Sequence, residues 1–181
     1  MKNIFCFLVL ASLTASCSSD NNLPADGPNL ITKNDFEALA GWGGVDPATL
    51  SKVRAHSGKY SLEVHPPDRD YSITYDAALG QVSPRKVKKI RLDAWVFLTS
   101  AKASGMLVMQ VKDPAQADKN IFWDGIKLTE TVKEYNKWVK VSKEFTLPET
   151  IAYTNHVQLF LWRGDASEPV YADDISLTTE E

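Results

Sequence analysis

The sequence is poor in cysteine and histidine, and this scarcity excludes several kinds of site. Only two cysteines occur among 181 residues, and both, Cys6 and Cys17, lie in the first seventeen positions. The rest of the chain therefore has no disulfide framework, no cysteine-ligated metal site and no cysteine nucleophile. The three histidines fall in no known catalytic or metal-binding motif, and no phosphate-binding or dinucleotide-binding glycine motif occurs.

The chain also lacks an excess of positive charge. It carries 20 Lys and Arg against 23 Asp and Glu, a net charge of −3. A mildly acidic chain without a basic block is not typical of nucleic-acid-binding proteins, so nucleic acid is not an expected partner. Electrostatic adhesion to anionic lipid is disfavoured for the same reason. The apolar run near the amino terminus is shorter than the roughly 20 residues that a membrane-spanning helix needs.

The amino-terminal segment has the order of a secretory signal. Residues 1–3 carry one positive charge, residues 4–13 are apolar except for Ser12, and small residues precede Cys17. The cysteine makes this segment resemble a bacterial lipoprotein signal with its lipobox, although Thr14 is less usual at its position than Leu or Val. The resemblance implies cleavage before Cys17, lipidation of that cysteine and attachment to the outer membrane. An ordinary signal peptide with an incidental cysteine is the alternative.

Three segments are expected along the chain. Residues 1–16 form the signal peptide, residues 17–28 a flexible tether, and residues 29–181 one folded domain. The tether is polar and rich in Pro, Asn and Gly, which is typical of flexible linkers. A polar, acidic stretch after the cysteine also resembles surface-export signals of Bacteroidota lipoproteins. A domain of roughly 150 residues is large enough to bury one hydrophobic core.

From residue 29 onward, apolar and polar residues alternate with a period of two, which is typical of half-buried strands. The clearest runs are residues 90–98 and 156–162. Turn residues separate nine or ten such segments. The sequence therefore predicts an all-β fold, a two-sheet antiparallel β-sandwich of the jelly-roll type. The spacing of apolar residues over 129–136 instead predicts a short helix.

Several short motifs occur in the order found in one group of jelly-roll domains. They are Asn29-Leu30-Ile31 with Asp35-Phe36-Glu37 and Trp42, the turn at 55–62, Ala94-Trp95-Val96, the stretches 138–141 and 145–148, and the closing stretch 170–177. Together they resemble galactose-binding-like domains, in particular carbohydrate-binding modules of families 4, 9 and 22. The resemblance implies a glycan groove on the concave sheet and, in many members, a structural Ca²⁺ ion.

The resemblance places this Ca²⁺ where the first and last strands meet, with Glu37 and Asp173 as ligands and Asp174 as the rival carboxylate. Ca²⁺ takes six to eight oxygen ligands, so carboxylates and main-chain oxygens near residues 57–59 suit it. Alternation puts Asp173 on the same face as Leu177, directed into the sandwich, where an unpaired carboxylate is costly. The alternative is that hydrogen bonds or an arginine hold Asp173.

Alternation also selects candidate ligand residues independently of the resemblance. If the apolar positions of three strands fill the core, the residues between them face outward and combine aromatic rings with amide and charged groups. The predicted ligand-binding residues are Arg91, Asp93, Trp95, Gln110, Gln158, Phe160 and Trp162. Aromatic rings stack on the apolar face of a pyranose, while amide and charged groups hydrogen-bond its hydroxyls. A face covered by a loop or helix, and a protein-binding face, are the alternatives.

These observations predict a non-catalytic module that binds a polysaccharide or oligosaccharide at the cell envelope and contacts the membrane only through its lipid anchor. A protein-interaction or structural domain of an envelope complex is the second interpretation, and a small glycan-active enzyme is the third. Asp93 is the only acidic residue that alternation places on the aromatic face, whereas glycoside hydrolysis uses two opposed carboxylates. The sequence therefore favours binding over catalysis.

Overall fold

The structure, a computed structural model, describes residues 27, 29–39, 41–43, 49–65, 67–117 and 119–180. The predicted signal peptide and Cys17 lie outside these residues, so cleavage and lipidation stay predictions. In the described part of the chain, no helix is long and apolar enough to cross a membrane.

The described residues form eleven strands in two antiparallel sheets, so the predicted β-sandwich is confirmed. In chain order the strands are β1 (Leu30–Asn34), β2 (Trp42–Gly43), β3 (Leu50–Ser51), β4 (Ser61–Val64), β5 (Thr74–Ala78), β6 (Lys89–Leu98), β7 (Met106–Asp113), β8 (Lys119–Lys127), β9 (Trp138–Thr146), β10 (His156–Trp162) and β11 (Val170–Glu180). Sheet A has the order β3-β4-β11-β6-β9, with β1 also paired to β11, and sheet B has the order β2-β5-β10-β7-β8.

The core lies between the two sheets and is filled by the alternate residues that the sequence pattern predicts. These side chains are at most 1% exposed: Ile90, Leu92, Ala94, Val96 and Leu98 from β6, Leu107, Met109 and Val111 from β7, and Val157, Leu159 and Leu161 from β10. Burial of one such aliphatic side chain contributes about 1.5–3 kcal/mol. The prediction that these apolar side chains of β6, β7 and β10 point into the core is therefore confirmed.

Across the residues that the structure describes, helical structure is limited to single turns. The turn α1 spans Leu79–Val82, α2 spans Leu128–Thr131, and a 3-10 turn covers Pro114–Gln116. The predicted helix over 129–136 is wrong beyond its first turn, because the backbone is already extended at Val132. Asn136 then adopts a left-handed φ of 58°, and its N–H donates to the carbonyl of Leu98. This bond ties the segment to sheet A instead of continuing a helix.

Strand β11 changes its edge partner along its length. Residues 170–172 pair with β4, and residues 175–178 pair with β1. A β-bulge after Asp173 interrupts the pairing with β6, and Asp174 there has a left-handed φ of 46°. One extra residue reverses the alternation, so Asp173 lies beside Trp95 on the outer face of sheet A. The predicted inward direction of Asp173 is therefore wrong.

Candidate functional site

The predicted ligand residues lie on two opposite faces of the sandwich. Four belong to sheet B and three to sheet A. The first group is Gln110, Gln158, Phe160 and Trp162, and the second group is Arg91, Asp93 and Trp95. The prediction that they share one face is wrong, because alternation shows which residues face outward but not which sheet contains the strand.

The part of the outer face of sheet A around Trp95 and Phe97 is covered by residues 52–60, which connect β3 to β4 and are called the covering loop here. Its His56 ring stacks on Trp95, with ring centroids 3.9 Å apart and an interplanar angle of 14°. Its Arg54 guanidinium lies 4.2 Å from the ring centroid of Phe97, which is only 5% exposed. The Trp95 face that His56 occupies is therefore not available to a ligand.

The other two predicted residues on sheet A bind each other. Arg91 Nε donates to Asp93 Oδ2 at 2.8 Å, and Arg91 Nη2 donates to Asp93 Oδ1 at 3.4 Å. Hydrogen bonding to Asp93 raises the pKa of Arg91, so the guanidinium stays charged. The pair lies on the opposite side of the sandwich from the four predicted residues of sheet B.

Hydrogen bonds from the covering loop hold the two adjacent carboxylates of β11. Asp173 Oδ2 accepts from the backbone N–H of His56 at 2.7 Å and of Ser57 at 3.2 Å. Asp174 Oδ2 lies 2.5 Å from His56 Nδ1, and its Oδ1 accepts from Ser57 Oγ at 2.7 Å. Burial raises the pKa of Asp173 from 3.8 to about 7, although the His56 N–H opposes this change. These bonds fix the loop over sheet A.

Glu37 is held by the same loop. Its Oε1 accepts from the backbone N–H groups of Lys59 at 2.6 Å and Tyr60 at 2.8 Å. Gly58, directly before Lys59, has φ 58°, and a Cβ there would collide with the Glu37 carboxylate. Only glycine accommodates both the positive φ and the close approach.

This donor set does not match the shell that Ca²⁺ requires. Around Glu37, Asp173 and Asp174 the covering loop presents N–H and O–H donors, whereas Ca²⁺ needs six to eight oxygen ligands. Within the described ranges, no three His, Cys, Asp or Glu side chains form a metal-binding group. A bound Ca²⁺ at these residues stays a prediction, and it requires the loop to rearrange.

The outer face of sheet B is not covered in this way. Cross-strand pairing arranges its side chains in rows that run across β5, β10, β7 and β8. The central row consists of Asp76, Gln158, Gln110 and Trp123. The neighbouring row on one side consists of His156, Lys112 and Asn120. On the other side lie the cross-strand pairs Phe160–Val108 and, beyond it, Trp162–Met106. One end of this face is therefore polar and the other is largely aromatic.

These rows line a continuous groove. A cavity of about 610 Å³ lies over the polar end, and a cavity of about 410 Å³ lies over the aromatic end. The two cavities share Tyr71, Gln110, Lys112 and Phe160, so they are two parts of one groove. Volumes of this size are typical of sites for small molecules or short polymer segments.

Exposed rings form the aromatic end of the groove. Tyr71 is 56% exposed and stacks on Trp162, with centroids 6.5 Å apart and an interplanar angle of 14°. Trp123 is 47% exposed and meets Trp162 edge-on at 6.3 Å. Phe160 is only 8% exposed and packs with Met106 beneath Trp162. Phe160 therefore supports the rings that a ligand would touch.

A hydrogen-bonded chain fixes the polar end. Gln110 Nε2 donates to Gln158 Oε1 at 2.7 Å, and Gln158 Nε2 donates to Asp76 Oδ2 at 2.5 Å. Asp76 Oδ1 lies 2.5 Å from His156 Nδ1. Because the carboxylate accepts only, it sets the orientation of the Gln158 amide, which in turn sets that of Gln110. Of the described side chains and backbone groups, none donates to Gln110 Oε1, so this atom can accept from a ligand hydroxyl.

The predicted ligand residues do not include part of this groove, although Trp123, beside the Asp124-Gly125 turn, is a candidate for its rim from sequence. Asp76 follows the buried Tyr75, so alternation in β5 identifies it as outward-facing. Trp123 follows Phe122, which packs against the core, and the same reasoning applies. Tyr71 lies before β5 and reaches the face through an isolated bridge to Trp162, for which the sequence has no local signal.

The groove offers little for hydrolysis. Among the described residues that line its two cavities, Asp76 is the only carboxylate. Hydrolysis by the usual mechanism needs two carboxyl groups about 5–9.5 Å apart on opposite sides of the scissile bond. Asp76 is also occupied by His156 and Gln158. The geometry fits binding better than bond cleavage.

Comparison with known proteins gives a family match and several fold matches. A family model described as a carbohydrate binding domain matches residues 28–167. The CBM22-1 xylan-binding domain from Paenibacillus barcinonensis Xyn10C is 18% identical, with a TM-score of 0.53 over 86% of this chain and 97% of that chain. The C-terminal family 22 carbohydrate binding module of Clostridium thermocellum Xyn10B is 15% identical, with a TM-score of 0.52 over 86% and 97%.

A family 16 carbohydrate binding module is also similar, with 17% identity and a TM-score of 0.53 over 83% of this chain and 99% of that chain. At these identities the solved structures establish the fold alone. No curated protein matches the chain.

Proposed function

Because the chain belongs to this family of carbohydrate binding domains, we propose that the groove on sheet B binds a polysaccharide without reacting with it. The observation that carries this proposal is the combination of exposed rings and fixed amides in one open groove. Tyr71, Trp123 and Trp162 offer rings on which the C–H face of a pyranose stacks. Gln110 and Gln158 offer oriented groups for its hydroxyls.

The surroundings of Trp123 favour a polymer over a single sugar. Trp123 borders the groove and also lines an adjoining cavity of about 370 Å³. That cavity continues toward Lys127 and Lys143 at the junction of β8 and β9. A chain that stacks on Trp123 therefore has a path beyond the groove.

The proposed location of this module is the outer membrane, through a lipid on Cys17. The support is the order of charged, apolar and small residues before that cysteine. Strand β1 begins at Leu30, so residues 17–28 would act as the tether. Twelve extended residues span at most about 40 Å. A domain held in this way would retain a polysaccharide at the envelope for partner proteins.

Labelling with a radioactive or tagged fatty acid tests the anchor. We expect the full chain to incorporate the label and the Cys17→Ser variant not to incorporate it.

Binding of the full chain to a panel of soluble polysaccharides tests the function. We expect retention by at least one polysaccharide in affinity electrophoresis, and loss of retention in the double variant Trp123→Ala/Trp162→Ala. The matched control is Trp95→Ala, which removes an indole from the opposite face and should keep binding. Failure to bind any polysaccharide would contradict the proposal, as would loss of binding in a folded Trp95→Ala variant.

A further inference from the structure

The polar end of the groove holds an ammonium group that forms no ion pair with a carboxylate of the described residues. Lys112 of β7 lines both cavities of the groove. Five other lysines form ion pairs, namely Lys86, Lys89, Lys127, Lys137 and Lys143. In the part of the chain that the structure describes, no side-chain hydrogen bond or ion pair involves Lys112. A ligand with a negative charge could therefore pair with this cation in the groove.

The nearest carboxylates in the sheet register are already engaged. Lys112 is flanked in its row by His156 and Asn120, and neither supplies negative charge. Asp113 accepts from the amides of the 3-10 turn that follows it. Asp76 accepts from His156 and Gln158, and it lies on β5, which is two strand spacings or roughly 10 Å from β7. The charge of Lys112 is therefore directed at the groove.

A ligand that covers Lys112 removes water from its ammonium group. Burying a charge without a partner is unfavourable, so a neutral sugar at this position is penalised. A carboxylate at the same position forms a charge-assisted hydrogen bond instead. The chemistry of this end of the groove thus favours an acidic sugar.

The position of Lys112 relative to the aromatic end suits a polymer unit. Lys112 lies two residues beyond Gln110, and Gln110 is the cross-strand partner of Trp123. Two residues of a strand span about 7 Å. A sugar stacked on Trp123 therefore places its own carboxylate, or that of an adjoining unit, within reach of the flexible Lys112 side chain.

We propose that the groove selects an acidic polysaccharide, with the carboxylate of a uronic-acid unit paired to Lys112. This inference rests on the proposed function and specifies the class of polysaccharide. It differs from binding by the aromatic rings and amides alone, which would accept a neutral chain equally well.

The test compares pairs of polysaccharides that differ only in their acidic group. Glucuronoxylan is compared with the same xylan after removal of its glucuronate, and polygalacturonate with its carboxyl-reduced form. We expect calorimetry on the full chain to show about tenfold tighter binding to the acidic member of at least one pair, with a preference that weakens at high salt. In Lys112→Gln the two members should bind equally, whereas Lys112→Arg should keep the preference.

Two controls make the result decisive. Lys133→Gln removes an exposed lysine outside the groove, whose Nζ donates to the carbonyl of Thr129, and should change nothing. Thermal unfolding of Lys112→Gln should match that of the wild type. Equal or better binding of the neutral member by the wild type would overturn this inference alone, as would an undiminished preference in Lys112→Gln. Absence of binding to every polysaccharide would contradict the proposed function as well.

Discussion

The two outer faces of the sandwich carry the same kinds of side chain but expose them differently. On sheet A, the covering loop stacks His56 on Trp95 and sets Arg54 over Phe97. On sheet B, Tyr71 stacks beside Trp162 and leaves a groove of several hundred Å³ open between aromatic and polar ends. The aromatic rings of sheet A therefore pack against the covering loop, whereas those of sheet B line an open groove.

The difference arises from how each face is bounded. The bulge of β11 places Asp173 and Asp174 beside the covering loop, where their carboxylates accept its N–H and O–H groups. On sheet B the carboxylate of Asp76 binds side chains of the same face, and it orders that face without covering it. The buried Asp173 and Asp174 thus hold a loop over sheet A, whereas the exposed Asp76 orders the side chains of an open face.

Ionisation of Asp173 on the covered face should have the largest effect on the free energy of unfolding. Burial raises the pKa of Asp173 from 3.8 to about 7. At a pH between these two values, Asp173 is therefore protonated in the folded chain and ionised in the unfolded chain. The free energy of unfolding should therefore fall as the pH rises from 4 to 8, by on the order of 3 kcal/mol relative to Asp173→Asn. Urea denaturation of both proteins across this pH range measures the difference, and a difference that is constant with pH would contradict the assignment.

Removal of one tryptophan from each face separates stability from binding. Trp162→Ala should weaken polysaccharide binding roughly 5- to 150-fold, taking the 1–3 kcal/mol of base–aromatic stacking as a guide. Trp95→Ala should leave affinity unchanged and lower the free energy of unfolding by about 1–3 kcal/mol, because His56 and the covering loop lose their packing surface. Calorimetry and urea denaturation give the two quantities. The opposite pattern would mean that the faces have been assigned the wrong way round.

The polar end of the groove can be loosened without touching its rings. Asp76→Ala frees the amides of Gln158 and Gln110 to rotate, and loss of about one net hydrogen bond, roughly 1 kcal/mol, should weaken binding about fivefold. Glu144→Ala breaks an exposed ion pair with Lys89 on sheet A and serves as the matched control. Equal affinity of Asp76→Ala and the wild type would show that the orientation of the amides is irrelevant to the ligand.

Calcium should have the smallest effect on either face. The carboxylates of Glu37 and Asp173 already accept backbone N–H groups, so Ca²⁺ has to displace these bonds in order to bind. We expect thermal midpoints in calcium and in chelator to agree. A clear rise with calcium would show that the covering loop rearranges to supply oxygen ligands, as the resemblance implied.

Sequence alone predicted the layers of the fold well, because a period of two is a local property. Strand β10, for example, covers the predicted residues 156–162, and its apolar positions fill the core. The sheet to which β6 belongs depends instead on its pairing with β9 and β11, which are distant in sequence. This is why Trp95 was grouped with Trp162 although the two residues lie on opposite faces.

The site was only partly predictable for the same reason. Gln110, Gln158 and Trp162 were found by alternation and do line the groove. Asp173 was given the wrong direction because a β-bulge inserts a residue without a clear local signature. Tyr71 lies outside strand β5 and joins the face through its contacts with Phe160 and Trp162, so alternation within β5 does not indicate it.

The most direct test follows the indole N–H signals of the tryptophans by NMR during titration with a bound polysaccharide. The signals of Trp123 and Trp162, which line the groove, should shift or broaden with added ligand. Those of Trp95 and Trp138, which pack around His56 on sheet A, should stay in place. Movement of the Trp95 signal with an unchanged Trp162 signal would contradict the assignment of the groove to sheet B.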